Sequence, residues 1–564
     1  MHSRIGTPIR QHMSAGSCGA GPQALRFSAF GRSGKAWILF LLAFLATQPL
    51  AGQEDPVAAR LLTPTVELLW PEGSPTPTQW RISAPSSENG SWRSMIDMRA
   101  DGPAFSRHLE IIVPGFDFVD WRAEPGHDGA VIVHGTTADR SIKLRKIFAP
   151  TKGDYRFSLV VEIAGLVNSN QTKELPKEIK LAIGPGIGEV PVDGLGIATG
   201  LYSFVDLIGS ASGQIHRGIP DLDSRSQLIE PLTYPEWAGL YSRHFALLVM
   251  PVEHGQVAAV SVEYPDVLPE NSPPKNYLPR MLLTLADAEP STKRTQHWEF
   301  TVFSGPRSRE AVRDEASDFS DTLFPGLWQW MRWLCFGLMW LLEAIFKLIP
   351  SWGLSIIVLA VLVRLAMYPL ARRALAGQQA FAEVQQRIQP EIQSIKQRYS
   401  GGEQSERILQ LYERHGTSPL AGLKPLLIVL IQIPVFIALF HVLGQAYELR
   451  DAPFLWIDTL AEPDQLFTFG VELPFFGAWF NLLPVLLALT TLLTLRLSPA
   501  PAADRTAQRR QNLFLGLMTI GFFLIFYSFP SGMVLYWTAA NLLHIGQSLA
   551  MRRGGINPTS TTTG

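Results

Sequence analysis

Cysteine is almost absent from this chain: two in 564 residues, Cys18 and Cys335, in unrelated contexts. That excludes a disulfide framework and a cysteine-based metal site. Charge is scarce too, at 17% against about 25% in an ordinary soluble protein. No H-E-x-x-H, G-x-S-x-G or P-loop occurs, and His108, His127, His134, His216, His244 and His254 lack metal-ligand spacing. Gly184-Pro185-Gly186-Ile187-Gly188 mimics a nucleotide loop, but Pro185 interrupts it and no amphipathic helix comes after it, so it reads as a turn. Ser531, in Pro-Ser-Gly, is a turn former rather than a nucleophile. No enzyme activity, cofactor or metal is expected.

The shortage of charge is uneven. From Gly326 to the end there are 18 Lys and Arg against 13 Asp and Glu, a net of +5. The first 325 residues hold 30 against 36, a net of −6, so the overall −1 conceals two environments. A single soluble domain is excluded, and so is a chain embedded in lipid throughout.

Residues 1–54 carry Arg4, Arg10, Arg26, Arg32 and Lys35 ahead of an apolar run from Ala36 to Ala46. A basic flank before a short apolar run is a secretory signal or a first membrane helix at about 36–51, and either one exports the chain beyond it. Residues 55–320 read as an all-β sandwich. Strand-like runs occur at Leu109–Val113, Ala130–His134, Ser141–Phe148, Tyr155–Ile163, Glu178–Ile183, Phe245–Val252, Met281–Leu285 and Trp298–Phe303, separated by Gly, Pro, Asp and Asn. The charged connector Gly305–Ser320 is expected to be helical.

The remainder alternates apolar spans with polar loops. Residues 321–350, rich in Trp and interrupted by Arg332, Glu343 and Lys347, read as an amphipathic helix lying in the outer interface. Transmembrane helices are expected at 351–370, 421–445, 481–497, 512–529 and 531–550. A polar hairpin at 371–420 and loops at 446–480 and 498–511 connect them, and a tail at 551–564 ends the chain. The segment Ser351–Leu370, at 1.5 Å per residue, spans the roughly 30 Å of bilayer hydrocarbon. Seven Lys and Arg lie between Ala371 and Leu420, whereas 446–480 holds only Arg450 among six acidic residues. This places the hairpin and the C-terminus in the cytoplasm.

Arg364 stands fourteenth in its span, about 5 Å past the midplane on the cytoplasmic side. A charge at that depth costs about 2.5 kcal/mol or more, so it faces a partner or a wet cavity unless it snorkels to the interface. No carboxylate lies in the other four spans, which points to a water-filled cavity open to the cytoplasm. Gln432, Thr490, Thr491, Thr494, Thr519, Ser528, Thr538 and Asn541 are candidates to line it, although threonine hydroxyls often bond back to their own helix. In the hairpin, Phe381, Val384, Ile388, Ile392 and Ile395 form a stripe that either holds a client or partner or packs on Ile408, Leu411 and Tyr412 of the returning helix.

Several stretches together are specific. Trp352-Gly353-Leu354-Ser355-Ile356-Ile357, Val363-Arg364 and Met367-Tyr368-Pro369-Leu370 resemble the first core span of the YidC/Oxa family of membrane protein insertases. Ser418-Pro419-Leu420-Ala421-Gly422 with Pro425–Ile428 and Ile431–Phe436 is similar to its next span, with Ser418 where the family carries Asn. Leu449–Phe454 and Phe529–Trp537 with Asn541-Leu542 come next in the same order and spacing. The β region resembles the periplasmic domain of the Gram-negative form only in pattern and placement.

The resemblance implies a five-helix core in the bacterial inner membrane around a hydrophilic groove. The groove would take Arg364, Gln432, Thr490, Thr519, Tyr536, Trp537 and Asn541. It would receive nascent membrane proteins and release them laterally into the lipid bilayer, alone or with a Sec-type translocon and the ribosome. The tail after Arg553 lacks the basic extension that some members direct at ribosomes. No direct reading of nucleic acid is expected. The alternatives are a multipass transporter, disfavoured by the lack of a coupling carboxylate, and a carbohydrate-active β-sandwich tethered to a membrane bundle.

Overall fold

The computed structural model describes residues 57–83, 92–97, 107–165, 178–184, 187, 205–218, 232–263, 280–286, 295–313, 319–416, 424–474, 476–497 and 505–553. The leader, the tail after Arg553, most of the Gly184–Gly188 loop and the Ser418–Gly422 motif lie outside them. The described chain is an all-β region followed by a helical one.

Among the described residues the largest sheet has nine antiparallel strands. Its order is Gln214–Gly218, Val205–Ala211, Trp237–Ser242, Phe245–Pro251, Thr295–Pro306, Arg156–Gly165, Ile142–Pro150, Val131–Thr137 and Phe118–Pro125. Ile142–Pro150 shows why these residues form strands: its side chains alternate between buried and less buried, one face feeding the core. A four-stranded sheet (Val57–Leu62 to Trp92–Asp97) and a five-stranded one, including Arg280–Leu285 and Ile179–Ile183, complete the region. Trp70, Trp80, Phe148, Phe157 and Trp298 are almost wholly buried in one continuous core. Each such side chain contributes about 1.5–3 kcal/mol by leaving water. Gly239 is fixed by close approach, since a Cβ there would stand 2.0 Å from the Leu247 carbonyl oxygen.

The connector departs from expectation. Its strand runs on to Pro306, and among the described residues one helical turn comes after it, Arg309–Val312, with Ser308 Oγ accepting from the Ala311 amide at 3.2 Å. Between strand and turn stands Arg307, a fully buried cation anchored to backbone. It donates to the carbonyls of Ser242 at 2.6 Å, Arg243 at 3.0 Å and Thr322 at 2.5 Å. The turn ends where Arg313 takes extended backbone, φ −94° and ψ 119°.

The helical region holds seven helices among the described residues: α1 (Gln329–Leu348), α2 (Trp352–Arg398), α3 (Gly401–Arg414), α4 (Lys424–Gln445), α5 (Leu482–Leu497), α6 (Arg505–Phe526) and α7 (Ser531–Arg553). No break occurs at residue 371: α2 continues through Pro369 and Pro390 for 47 residues. Each proline removes one hydrogen bond, but the Ala, Gln, Arg and Glu between them are strong helix formers. Helix α6 begins at Arg505, inside the segment expected to be loop, and the loop after α4 contains a hairpin of Phe467–Leu473 and Gly477–Phe480. By length and composition, Trp352–Pro369 is the one described stretch able to cross a bilayer. Gln432–Gln445, Leu482–Thr494 and Leu513–Phe526 are shorter apolar helical stretches.

Candidate functional site

The site is built where α2 packs on α7. Helix α2 buries Ser355, Ile356, Leu359 and Ala360, while Leu354, Leu362, Leu365 and Tyr368 are exposed. Arg364 lies one helical turn after Ala360 and continues that inner face half-buried. Near its start α2 passes so close to the loop after α4 that a Cβ on Gly353 would lie 2.1 Å from the Phe454 ring.

The start of α7 is held by the same loop. Ser531 donates its amide to the Glu462 carbonyl at 2.7 Å and its hydroxyl to the Thr459 carbonyl at 2.9 Å. The Gly532 amide meets the Leu460 carbonyl at 2.9 Å. Buried Asp464 does the same for α5: Oδ2 accepts from the Leu482 and Leu483 amides at 2.8 and 3.0 Å, and from Trp456 Nε1 at 3.1 Å. These contacts satisfy amides that a helix start leaves without partners, and so fix where α5 and α7 begin.

On α7, Tyr536, His544 and Gln547 fall on one face at helical spacing. Arg364 Nε donates to Gln547 Oε1 at 3.5 Å, a long contact, and Tyr536 is buried within electrostatic reach of the guanidinium. Among the described residues Arg364 makes no ion pair. Pro369 cannot bond the Leu365 carbonyl, which leaves one more polar group beside Arg364. Another face of α7 carries Asn541, whose Nδ2 donates to Thr491 Oγ1 of α5 at 2.9 Å.

The other sequence candidates take different places. The Thr490 hydroxyl donates to the carbonyls of Leu486 and Leu487 at 2.9 and 3.0 Å, and that of Thr519 to Leu515 at 2.9 Å, each within its own helix. Thr494 and Thr538 do likewise, to Thr490 and Val534. Trp537 lies between the rings of Phe436 and Phe526, with centroids 4.8 and 4.7 Å away. Gln432 is exposed on α4. In the α2–α3 hairpin, Ile388 and Ile392 are buried against Leu411 and Tyr412, with Phe381 and Val384 packed beside them. That is the self-packing arrangement, and it seals Ile388 and Ile392 inside the hairpin.

Gln547 was not singled out from the sequence. Its signal was available: eleven residues beyond Tyr536 is three helical turns, which returns to the same face of α7.

Residues 344–558 match the family model described as 60Kd inner membrane protein. Membrane protein insertase YidC of Thiobacillus denitrificans is 28% identical over 434 residues, covering 74% of this chain and 68% of that one. The protein of the same name from a Janthinobacterium species is 33% identical over 267 residues, covering 47% of this chain and 44% of its own. A crystal structure of an active YidC insertase with its first transmembrane domain resolved covers 91% of this chain and 98% of its own, at 16% identity and a TM-score of 0.32. The family match spans α2 to α7 and so contains the whole α2–α7 site. Residues 344–558 thus carry the domain described as 60Kd inner membrane protein, and over most of its length the chain is similar to membrane protein insertases named YidC.

Proposed function

We propose that this chain is an inner-membrane insertase that receives nascent hydrophobic segments in a hydrophilic groove beside α2 and α7 and releases them sideways into the bilayer. The observation that carries this reading is Arg364. It stands on the described stretch long enough to cross a membrane, half-buried, with a neutral amide as its hydrogen-bond partner. An intramembrane cation without a carboxylate is costly in hydrocarbon and tolerated beside water. A water-bearing groove shortens the hydrocarbon that a polar exported segment has to cross, and Arg364 attracts acidic segments into it.

The five-span arrangement, with α2, α4, α5, α6 and α7 as the spans, is part of the proposal. So is its orientation: the basic α2–α3 hairpin and the C-terminus in the cytoplasm, the β region in the periplasm, and α1 in the outer interface. Helix α6 supports a lateral exit, since Leu513, Phe514, Leu517, Ile520 and Leu524 are exposed and suited to lipid. Nascent membrane proteins are the substrates, and a Sec-type translocon and the ribosome are partners suggested by the family. Depleting the protein in cells and mapping newly made membrane proteins with protease tests the reading. Clients should remain inaccessible from the periplasm, and normal accessibility of every client would overturn it.

A further inference from the structure

A cavity of about 440 Å³ lies between the helical turn Arg309–Val312, the C-terminal end of α1, the first residue of α2 and the turn after α4. Its size is within the range of small-molecule sites. Six charges in its walls cancel: Arg309, Arg313 and Lys347 against Glu310, Glu343 and Glu448. Arg309 and Glu343 neutralise each other through two hydrogen bonds, Nη2 to Oε2 at 2.8 Å and Nε to Oε1 at 3.3 Å. The other two cations and two carboxylates make no ion pair among the described residues. Arg313, Lys347 and Glu310 are exposed, whereas Glu448 is half-buried. Burial, with Glu343 and Glu310 nearby, pushes the Glu448 carboxyl up to about 7, a strain that a cation seated beside it would relieve.

The cavity also has an apolar wall. The rings of Phe346 and Trp352 stack with centroids 4.0 Å apart and planes 9° apart. Along its length α1 exposes Trp333, Trp340 and Leu348, the last at 84%. Exposed tryptophans on an amphipathic helix belong at the boundary between headgroups and hydrocarbon. A simple anion would meet Glu310 and Glu448 here, and a simple cation would meet Arg313 and Lys347. The fitting occupant carries both signs a few ångströms apart and an apolar body.

We propose that this cavity holds the zwitterionic headgroup of an outer-leaflet phospholipid, its phosphate toward Arg313 and Lys347, its ammonium toward Glu448, and its glycerol end against Phe346 and Trp352. The assignment rests on α1 lying in the outer interface, as in the proposed function. A bound lipid would pin the corner between α1 and α2 to the leaflet surface.

Native mass spectrometry of the full chain in detergent, titrated with phosphatidylethanolamine, phosphatidylglycerol and soluble glycerophosphoethanolamine, tests this. The wild-type chain should retain phosphatidylethanolamine about tenfold better than phosphatidylglycerol. Glu448→Gln should erase that preference, and the exposed pair Arg313→Gln with Lys347→Gln should weaken retention of both lipids. Equal retention of the two lipids by the wild type would overturn the proposal, as would a preference that survives Glu448→Gln, or unchanged retention in the double variant. Displacement by the soluble headgroup at equal concentration would assign the site to a free metabolite and overturn the lipid. Arg364→Ala should keep the preference, so that failure here and failure of the insertion reading are separable.

Discussion

Arg243 Nε lies 2.7 Å from the carbonyl oxygen of Gly444, joining the large β-sheet to the end of α4. Its Nη2 meets the Ala461 carbonyl at 2.5 Å. Gly444 stands in the last turn of its helix, where carbonyls lack intrahelical partners, so Arg243 acts as a C-terminal cap supplied by the sheet. Phe245 and Tyr447 pack beside it with centroids 5.9 Å apart.

Arg243→Ala should therefore loosen the β region from the helices. A buried carbonyl left without a partner costs about 1–3 kcal/mol, and two are at stake. Limited proteolysis should release the β region sooner than in the wild type, and an unchanged cleavage rate would contradict the coupling.

Lys146 offers a pH test within the β region. It is wholly buried, donates to the carbonyls of Pro75 and Leu109, and has the rings of Trp121 and Phe148 at 5.5 and 5.9 Å. Burial brings its pKa down to about 7 from the ordinary 10.5, with Glu110 opposing the shift. Between those values the unfolded chain holds a proton that the folded one has lost, so wild-type stability rises with pH across that window. Lys146→Met, which removes the titrating group, should compare most favourably with wild type near pH 6, and the comparison should turn against it toward pH 10, where the wild type keeps the hydrogen bonds of Lys146 to two carbonyls without the cost of a buried charge. Thermal unfolding at the two ends checks this, and a pH-independent difference would contradict it.

Asn541 and Thr491 should be energetically coupled. With α5 and α7 spanning as proposed, a double-mutant cycle with Asn541→Ala and Thr491→Val should return about 0.6 kcal/mol, the average that such cycles give for hydrogen bonds between membrane helices. Reversible unfolding in bicelles supplies the four free energies. Zero coupling would mean that α5 and α7 meet otherwise.

In the hairpin, Ile388→Ala should destabilise the packing of α3 on α2 by about 2–5 kcal/mol. Faster hydrogen exchange across 401–414 is the expected sign.

The strands legible in the sequence were those with a polar–apolar alternation or a β-branched run, such as Ser141–Phe148 and Tyr155–Ile163. Val205–Ala211 and Trp237–Ser242 escaped because small residues, Gly209 and Gly239 among them, interrupt the pattern where neighbouring backbone and side chains come close. The connector misled for another reason: its charges suggested a solvated helix, whereas Arg307 is buried on three carbonyls contributed largely by distant chain. The continuity of α2 was hidden by Pro369, a residue that ends most helices but not one with good helix formers on both sides. Arg364 was legible because one charge in a 20-residue apolar run needs no tertiary knowledge to stand out. Gln547 was less so, since a glutamine near a helix end is ordinary until its face is compared with that of Tyr536.

The most direct measurement is insertion into proteoliposomes containing wild-type, Arg364→Ala or Arg364→Lys protein, with clients whose exported segments are acidic or neutral. Arg364→Ala should lower insertion of the acidic clients about tenfold or more, at least about 1.4 kcal/mol in the barrier. Arg364→Lys should restore most of it, and neutral clients should change little. Equal insertion of all clients by wild type and Arg364→Ala would contradict the role given to Arg364.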